Sequence, residues 1–371
     1  MNIRAAILWE QGQPLSVEPA TLDAPGAGEV LVEMRAAGVC HSDLHPARGD
    51  WPMKMPVVLG HEGAGIVRDV GPSVTKVKRG DHVVLCWAPA CGQCPPCLDG
   101  RAVLCDRLEK VTFRNKLPSG GTRLRARDTD VAPFLGTACF ADAVVVPEDG
   151  AIPVARDIPF DALATLGCAV LTGVGAVMSS AHVPPLARVA VIGAGGVGLN
   201  VIQGAVMSSC ARIIAIDTRP APLRLAQAFG ATDTILVGAE PARADAAADV
   251  RRLTDGRGAD FVFDTVGSPA TLTSAIGAAK KGGTVVLTGL SRADAQSAFP
   301  MFPFVMQEKR LIGSVYGSGR PWEDIPRLAS WFHEGKLKLR ELVARTYKLD
   351  GVNDALNALA SSDGARGVIR W

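Results

Sequence analysis

From Arg188 onward the sequence alternates short β-branched runs with helical stretches: "RVAVIG", "RIIAID", "DTILV", "DFVFDTVG", "GTVVLTG" and "LIGSVYG" follow one another. Six strands spaced by helices predict an α/β architecture with a doubly wound parallel sheet. Residues 1 to about 160 differ: Gly and Pro are frequent, and short runs such as "GEVLVEMRAAG", "GAGIVRDV" and "GDHVVLC" predict a compact β-rich domain. A chain of 371 residues exceeds the usual size of one core, so two domains are expected. After the sheet, "IPRLASWFHEGKL" and "GVNDALNALAS" read as helices and "RGVIRW" as a last strand.

The first of the six strands runs into "VIGAGGVG", which contains Gly193-x-Gly195-x-x-Gly198. The first glycine makes a tight turn, the second admits a pyrophosphate to the backbone, and the third lets helix pack on sheet, as in a Rossmann dinucleotide site. Asp217 ends the next strand, nineteen residues past Gly198, where a ribose-binding acid is expected. Its charge accepts hydrogen bonds from a 2′-OH and repels a 2′-phosphate, favouring NAD. Arg219 nearby softens that preference.

Lys and Arg number 39 against 37 Asp and Glu, and the one basic cluster, "RLRAR" at 123–127, lacks interleaved aromatics. Nucleic acid is therefore not an expected partner, and the cluster reads as a solvated loop. The N-terminus lacks a secretory signal pattern, and the uncharged runs 162–187 and 189–211 are interrupted by Gly, Pro and Ser, so neither is read as a membrane span. The expected compartment is the cytoplasm. Nine cysteines cannot all pair, and a reducing compartment would not keep disulfides.

Four of the nine crowd into "CGQCPPCLDGRAVLC": Cys91, Cys94, Cys97 and Cys105. Four thiolates so spaced wrap one tetrahedral zinc in a closed, structural site. An iron–sulfur cluster is the rival, but its pattern continues with three residues and Cys-Pro, whereas seven residues and Asp106 stand here. Chemistry needs an open metal position. Candidates are Cys40, Asp43 and His45 in "GVCHSDLH", His61 and Glu62 in "GHEGAG", and Cys168 in "TLGCAVLTG". His-Glu also begins H-E-x-x-H, but position 65 is Gly and the surrounding glycines oppose a helix.

"GHEGAGIVRDVGPSV" matches G-H-E-x2-G-x5-G-x2-V, and the cysteine quartet, "GCAVLTG", "GAGGVG" and Asp217 follow in order, with "ARGVIRW" at the end. By these residues essentially the whole chain resembles the zinc-dependent medium-chain alcohol dehydrogenases. The resemblance implies a GroES-like catalytic domain over 1–169, completed by 316–371, and an NAD-binding Rossmann domain over 170–315. It implies Cys40, His61 and Cys168 around a catalytic zinc and the quartet around a structural one. Asp43 would orient His61, and Glu62 would stand behind the metal. Ser42 would pass the substrate proton through the nicotinamide ribose to His45. His41 and Arg366 would contact the pyrophosphate, with Gly193, Gly195, Gly196, Val197, Gly198, Asp217 and Thr265 completing the cofactor site. Histidine at 41, where relatives often carry arginine, would weaken that contact and make it pH-dependent.

The implied reaction is reversible hydride transfer between a primary alcohol and NAD, giving the aldehyde. Trp51, Trp87, Phe134, Leu135 and Leu290 fall where relatives line the substrate site, predicting a narrow apolar slot for aromatic, allylic or short aliphatic groups. A thiol-adduct formaldehyde dehydrogenase is the alternative, although Trp51 stands where an acid would help. A zinc-free quinone or enone reductase lacks both cysteine sets. The long loop 106–133 resembles the dimeric branch, and "LIGSVYG" at 311–317 would pair across a homodimer. Cys86, Cys139 and Cys210 match no ligand position and read as packing residues.

Overall fold

The structure, a computed structural model, describes residues 1–238, 245–361 and 365–371. The chain forms two compact units. One runs from Met1 to Cys168 and resumes at Arg320; the other is Ala169–Gly319. The sequence reading expects boundaries at 169/170 and 315/316, where these units divide at 168/169 and 319/320.

In the second unit the described residues form a six-stranded, all-parallel sheet. Arg188–Ile192 lies between Arg212–Asp217, with Asp233–Leu236 beyond it, and Ala259–Asp264, followed by Ala279–Leu287 and Arg310–Gly313. The strand order therefore reverses at Arg188–Ile192, the switch point where doubly wound sheets bind ligands. Ala190, Ile192, Ile214, Ile216, Val262 and Val285 share one buried cluster, which explains why these runs are apolar without alternation. Helices are cut to fit the return path. Pro220–Phe229 starts with proline in its first turn and stops at Gly230 (φ +112°), while Ser268 and Thr271 cap Pro269–Ala278 reciprocally.

The first unit holds a closed barrel of Asn2–Leu8, Ser16–Leu22, Leu124–Ala126, Thr129–Pro133 and Val57–Val58. Beside it a second sheet centres on Glu29–Gly38, which pairs with Glu62–Val70, Ala143–Pro147 and the C-terminal strand Arg366–Arg370. Val368 faces Gly38 in that last pairing, so the end of the chain delivers Arg366 to the neighbourhood of Cys40. Ile7, Leu8, Val32, Val58, Phe134 and Phe140 belong to the core of this unit.

The "RLRAR" cluster is not a loop. Leu124 and Ala126 point into the barrel, each 4% exposed, while Arg123, Arg125 and Arg127 alternate outward onto Glu29, Asp130 and Glu18. The charge run hides a period-two strand. Among the described residues Phe160–Ser180 is long and apolar enough to cross a membrane by composition, but 89% of that apolar window is buried inside the fold. It is a core helix.

Candidate active site and its metal centres

Cys40, His61, Glu62 and Cys168 come together in the first unit, with their ligand atoms all within 4.8 Å of one another and all four side chains buried. Each arrives from a different kind of element. Cys40 is the N-cap of the helix His41–Arg48, His61 enters the strand Glu62–Val70, and Cys168 sits in a π-helical turn, Leu166–Val170. Such turns widen a helix locally and recur at functional positions.

Asp43 organises the cluster. Fully buried, it accepts hydrogen bonds from Cys40 N (3.0 Å), Gly60 N (3.1 Å) and His61 Nδ1 (3.0 Å). The third bond commits Nδ1–H to Asp43 and makes Nε2 the nitrogen available to a metal, which would displace any proton there. Burial disfavours charge on the His61 ring, yet the Asp43 carboxylate outweighs it and holds the pKa well above the ordinary histidine value. A hydrogen bond from the Cys168 thiol, with help from Arg366 and against burial, holds Cys40 well below the usual thiol value. The same contact, together with burial, pushes Cys168 well above the usual thiol value.

Arg366 is itself only 4% exposed, with Nη2 3.0 Å from Glu62 Oε1 and 3.5 Å from Cys40 Sγ. The guanidinium that the resemblance assigns to pyrophosphate is here turned to the thiolate and to Glu62. Burial pushes the Glu62 carboxyl up to about 7, against the pull of Arg366. Two sulfurs and an imidazole in a dry pocket are a donor set suited to zinc, and a fourth tetrahedral position stays open if Glu62 remains behind the ion.

The cysteine quartet forms a second centre. Cys91 and Cys97 sulfurs stand 4.0 Å apart, Cys94 and Cys105 sulfurs 3.8 Å. Zinc–sulfur bonds of about 2.3 Å in a tetrahedron require sulfurs about 3.8 Å apart, whereas a disulfide needs about 2.05 Å. The spacing fits zinc. Backbone N–H groups of Gln93 and Cys94 outweigh slight burial and bring Cys91 down to about 6, so this ligand ionises readily. Arg107, two residues past Cys105, ties the lobe down through Pro89 O (3.0 Å) and Asp149 (3.1 Å).

In the second unit the glycine-rich loop has the shape its spacing predicts. Gly193 turns with φ +89°, and a Cβ on Gly198 would lie 1.8 Å from Gly193 O. A Cβ on Gly195 would meet nothing within 4 Å. That space lies at the N-cap of the helix Gly196–Met207, whose free N–H groups suit a phosphate. Asp217 accepts from Ala194 N (2.9 Å) and Arg219 N (3.0 Å), which anchors it to the loop and leaves carboxylate lone pairs for a ribose. Thr265 Oγ1 lies 2.9 Å from Ile192 O and 3.0 Å from Gly193 O, bracing the turn from the neighbouring strand. Gly196 and Val197 open the helix.

The remaining expected residues are dispersed more widely. Phe134 is buried, its ring edge-on to His61 at 5.8 Å and 81°. Leu135 adopts φ +49°, its N–H bonded to Asn115. Trp87 is half-buried, its ring 6.4 Å from Phe113, and Leu290 is 58% exposed. Ser42 is half-buried and His41 exposed on the first turn of their helix. Trp51 stacks on His45, and Asp50 pairs with the same ring, a partnership the sequence reading missed. Cys86 and Cys139 are buried as expected, but Cys210 is only half-buried.

Residues 196–334 match the zinc-binding dehydrogenase family, and residues 26–156 match the alcohol dehydrogenase GroES-like domain. Alcohol dehydrogenase class-3 of Cereibacter sphaeroides is 35% identical, with all of both chains covered. S-(hydroxymethyl)glutathione dehydrogenase of Paracoccus denitrificans is 34% identical, again over the whole of both. The crystal structure of benzyl alcohol dehydrogenase from Acinetobacter calcoaceticus superposes with TM-score 0.92 at 30% identity, covering 100% of this chain and 99% of that one. This chain belongs to the zinc-binding alcohol dehydrogenases, oxidoreductases that act on CH–OH with zinc and NAD.

Proposed function

We propose that the protein interconverts primary alcohols and aldehydes with NAD, favouring aromatic, allylic or short aliphatic groups. The buried Cys40–His61–Cys168 cluster, with Asp43 fixing the imidazole, carries the reading. These three side chains would hold the catalytic zinc, and Cys91, Cys94, Cys97 and Cys105 the structural one. Zinc supplies Lewis acidity that makes an alcohol hydroxyl acidic near neutral pH, and NAD accepts the hydride.

The chain's own residues do the rest. Asp43 keeps His61 Nε2 directed at the metal position, and Phe134 covers the ring edge-on, limiting water. Ser42 takes the proton released by the substrate oxygen. His45, three residues on and on the same helix face, carries it outward. The Gly193–Gly198 loop and helix N-terminus bind pyrophosphate, with Asp217 on the ribose and His41 as a side-chain donor, while Arg366 stays committed to Glu62 and Cys40. On this reading 1–169 with 316–371 is the catalytic domain and 170–315 the NAD domain. Trp51, Trp87, Phe134, Leu135 and Leu290 shape the apolar end of the substrate.

The likeness to S-(hydroxymethyl)glutathione dehydrogenase favours a second reading, a thiol adduct of formaldehyde as substrate. The assay is NADH formation by the zinc-loaded enzyme on benzyl, allyl, short aliphatic and polyol alcohols and on S-(hydroxymethyl)glutathione. Benzyl or allyl alcohol with the highest kcat/KM supports the first reading; the glutathione adduct with the highest overturns it. A homodimer is also proposed: Arg310–Gly313 is an edge strand, and Met301, Phe302, Val305 and Met306 beside it are 67–77% exposed. A cytoplasmic location is also proposed, since the quartet's zinc-like sulfur spacing suits a compartment that keeps thiols reduced.

A further inference from the structure

The helix that begins with Cys40 ends in a turn that closes back on His45. Asp50 N donates to His45 O at 2.8 Å, after Gly49 reverses the chain with φ +83°. The closure brings Asp50 Oδ2 to 3.1 Å from His45 Nδ1, and the two side chains are each 19% exposed. It also lays the Trp51 indole over the same imidazole, centroids 4.5 Å apart and planes within 21°. Gln11 Nε2 pins the turn from outside, reaching Trp51 O at 3.1 Å and Pro46 O at 3.3 Å. One face and one nitrogen of His45 are therefore committed, while Nε2 is left for proton exchange.

We propose that Asp50 and Trp51 are positioning residues for the proton exit, acting through His45; the inference rests on the reading of His45 as that exit. The Asp50 carboxylate accepts from Nδ1–H, so the neutral ring carries its lone pair on Nε2. During alcohol oxidation Nε2 gains the proton arriving from Ser42, and the ring becomes an imidazolium beside a carboxylate that stays ionised. Nε2–H then passes to water and the neutral tautomer returns. The indole face favours the same charged state, since a cation within about 6 Å of the ring is attracted to it. The other titratable or charged groups on the helix are His41, Arg48 and the buried Asp43, whose carboxylate is taken by His61, Gly60 N and Cys40 N. Gln11 is neutral with exposed Glu10 beside it, and the helix Val352–Ser361, which packs against His41–Arg48, carries exposed Asp354. Asp50 is the carboxylate within hydrogen-bond reach of the imidazole.

The test uses zinc-loaded, 15N-histidine-labelled protein and follows both the ring and the reaction. In wild type, long-range 1H–15N spectra should report the Nδ1–H tautomer for His45. In Asp50→Asn the spectra should show His45 losing its preference for the Nδ1–H tautomer, since the carboxylate acceptor is gone. The kcat for benzyl alcohol at neutral pH should drop about 10-fold, because the ring no longer holds its Nε2 lone pair ready for the proton. Asp50→Glu should restore both. An Asp50→Asn protein that melts earlier but keeps the wild-type His45 tautomer and kcat would make Asp50 a turn residue only and overturn the inference. His45→Ala separates the layers: if it oxidises alcohol with the wild-type rate and profile, the proton-exit reading itself fails. If His45→Ala lowers kcat while Asp50→Asn leaves it unchanged, only the inference made here fails.

Discussion

Replacing Asp43 with asparagine changes one atom and tests the geometry on which the metal site depends. Asp43 Oδ1 accepts from Gly60 N and His61 Nδ1, and Oδ2 accepts from Cys40 N. Asparagine has one carbonyl oxygen and an NH2 that only donates. In its better orientation the carbonyl keeps the first two bonds, and the NH2 confronts the Cys40 N–H across 3.0 Å. The other orientation loses two bonds. One buried donor left without an acceptor costs about 1–3 kcal/mol, against a typical total stability of about 5–15 kcal/mol, so the protein still folds. The larger effect falls on the metal: weakening the bond that orients a ligating imidazole lowers affinity by about 10–100-fold. Competition with a chromophoric chelator measures it directly. Asp43→Asn should surrender one of its two zinc ions at chelator concentrations about 10–100-fold below those the wild type needs, and keep the other, in the quartet, unchanged. Equal retention of both ions would refute the argument.

The buried Glu62 gives a pH signature in zinc-free protein. Its carboxyl titrates near 7 in the fold and near 4.5 when unfolded. The native state thus binds the extra proton between those values, and stability falls as pH rises through that window. Denaturation midpoints of Glu62→Gln should gain on wild type from about pH 4.5 to about 7 and run parallel above; a constant difference would contradict the assignment. Two glycines separate binding from folding. Gly195→Val, with open space around its Cβ, should melt like wild type yet bind NADH at least about 10-fold more weakly. Gly198→Ala, forced against Gly193 O, should lose about 1–3 kcal/mol of stability, both variants read by thermal melts and NADH fluorescence titration. Cys168→Ala should lose one zinc and all alcohol oxidation with the fold intact by circular dichroism. Cys97→Ala should lose the other zinc and make residues 91–105 protease-sensitive.

The parallel sheet was legible because its central strands are buried apolar runs and its helices announce themselves with proline, glycine and serine caps. The metal clusters were legible because thiols and imidazoles are scarce and their spacing is chemical. What the sequence concealed was side-chain direction. "RLRAR" reads as solvated charge until Leu124 and Ala126 are seen facing a barrel, since period two over five residues is too short to outweigh three arginines. Arg366 sits far along the chain from Cys40, and only the pairing of the last strand with Glu29–Gly38 reveals that its guanidinium reaches the thiolate. Trp51 reads in the sequence as a pocket aromatic, and Asp50 carries no signal of its own. Their closure on His45 depends on the left-handed turn at Gly49, a local signal that becomes informative once the helix boundary is known.

X-ray absorption at the zinc edge, on protein purified without added metal and paired with its zinc content, addresses the central assignment. Two zinc ions per chain are expected, with sulfur neighbours at about 2.3 Å and a nitrogen contribution at about 2.0–2.1 Å that disappears in His61→Ala. One zinc per chain with sulfur neighbours alone, unchanged by His61→Ala, would leave Cys40, His61 and Cys168 without their ion and contradict the account.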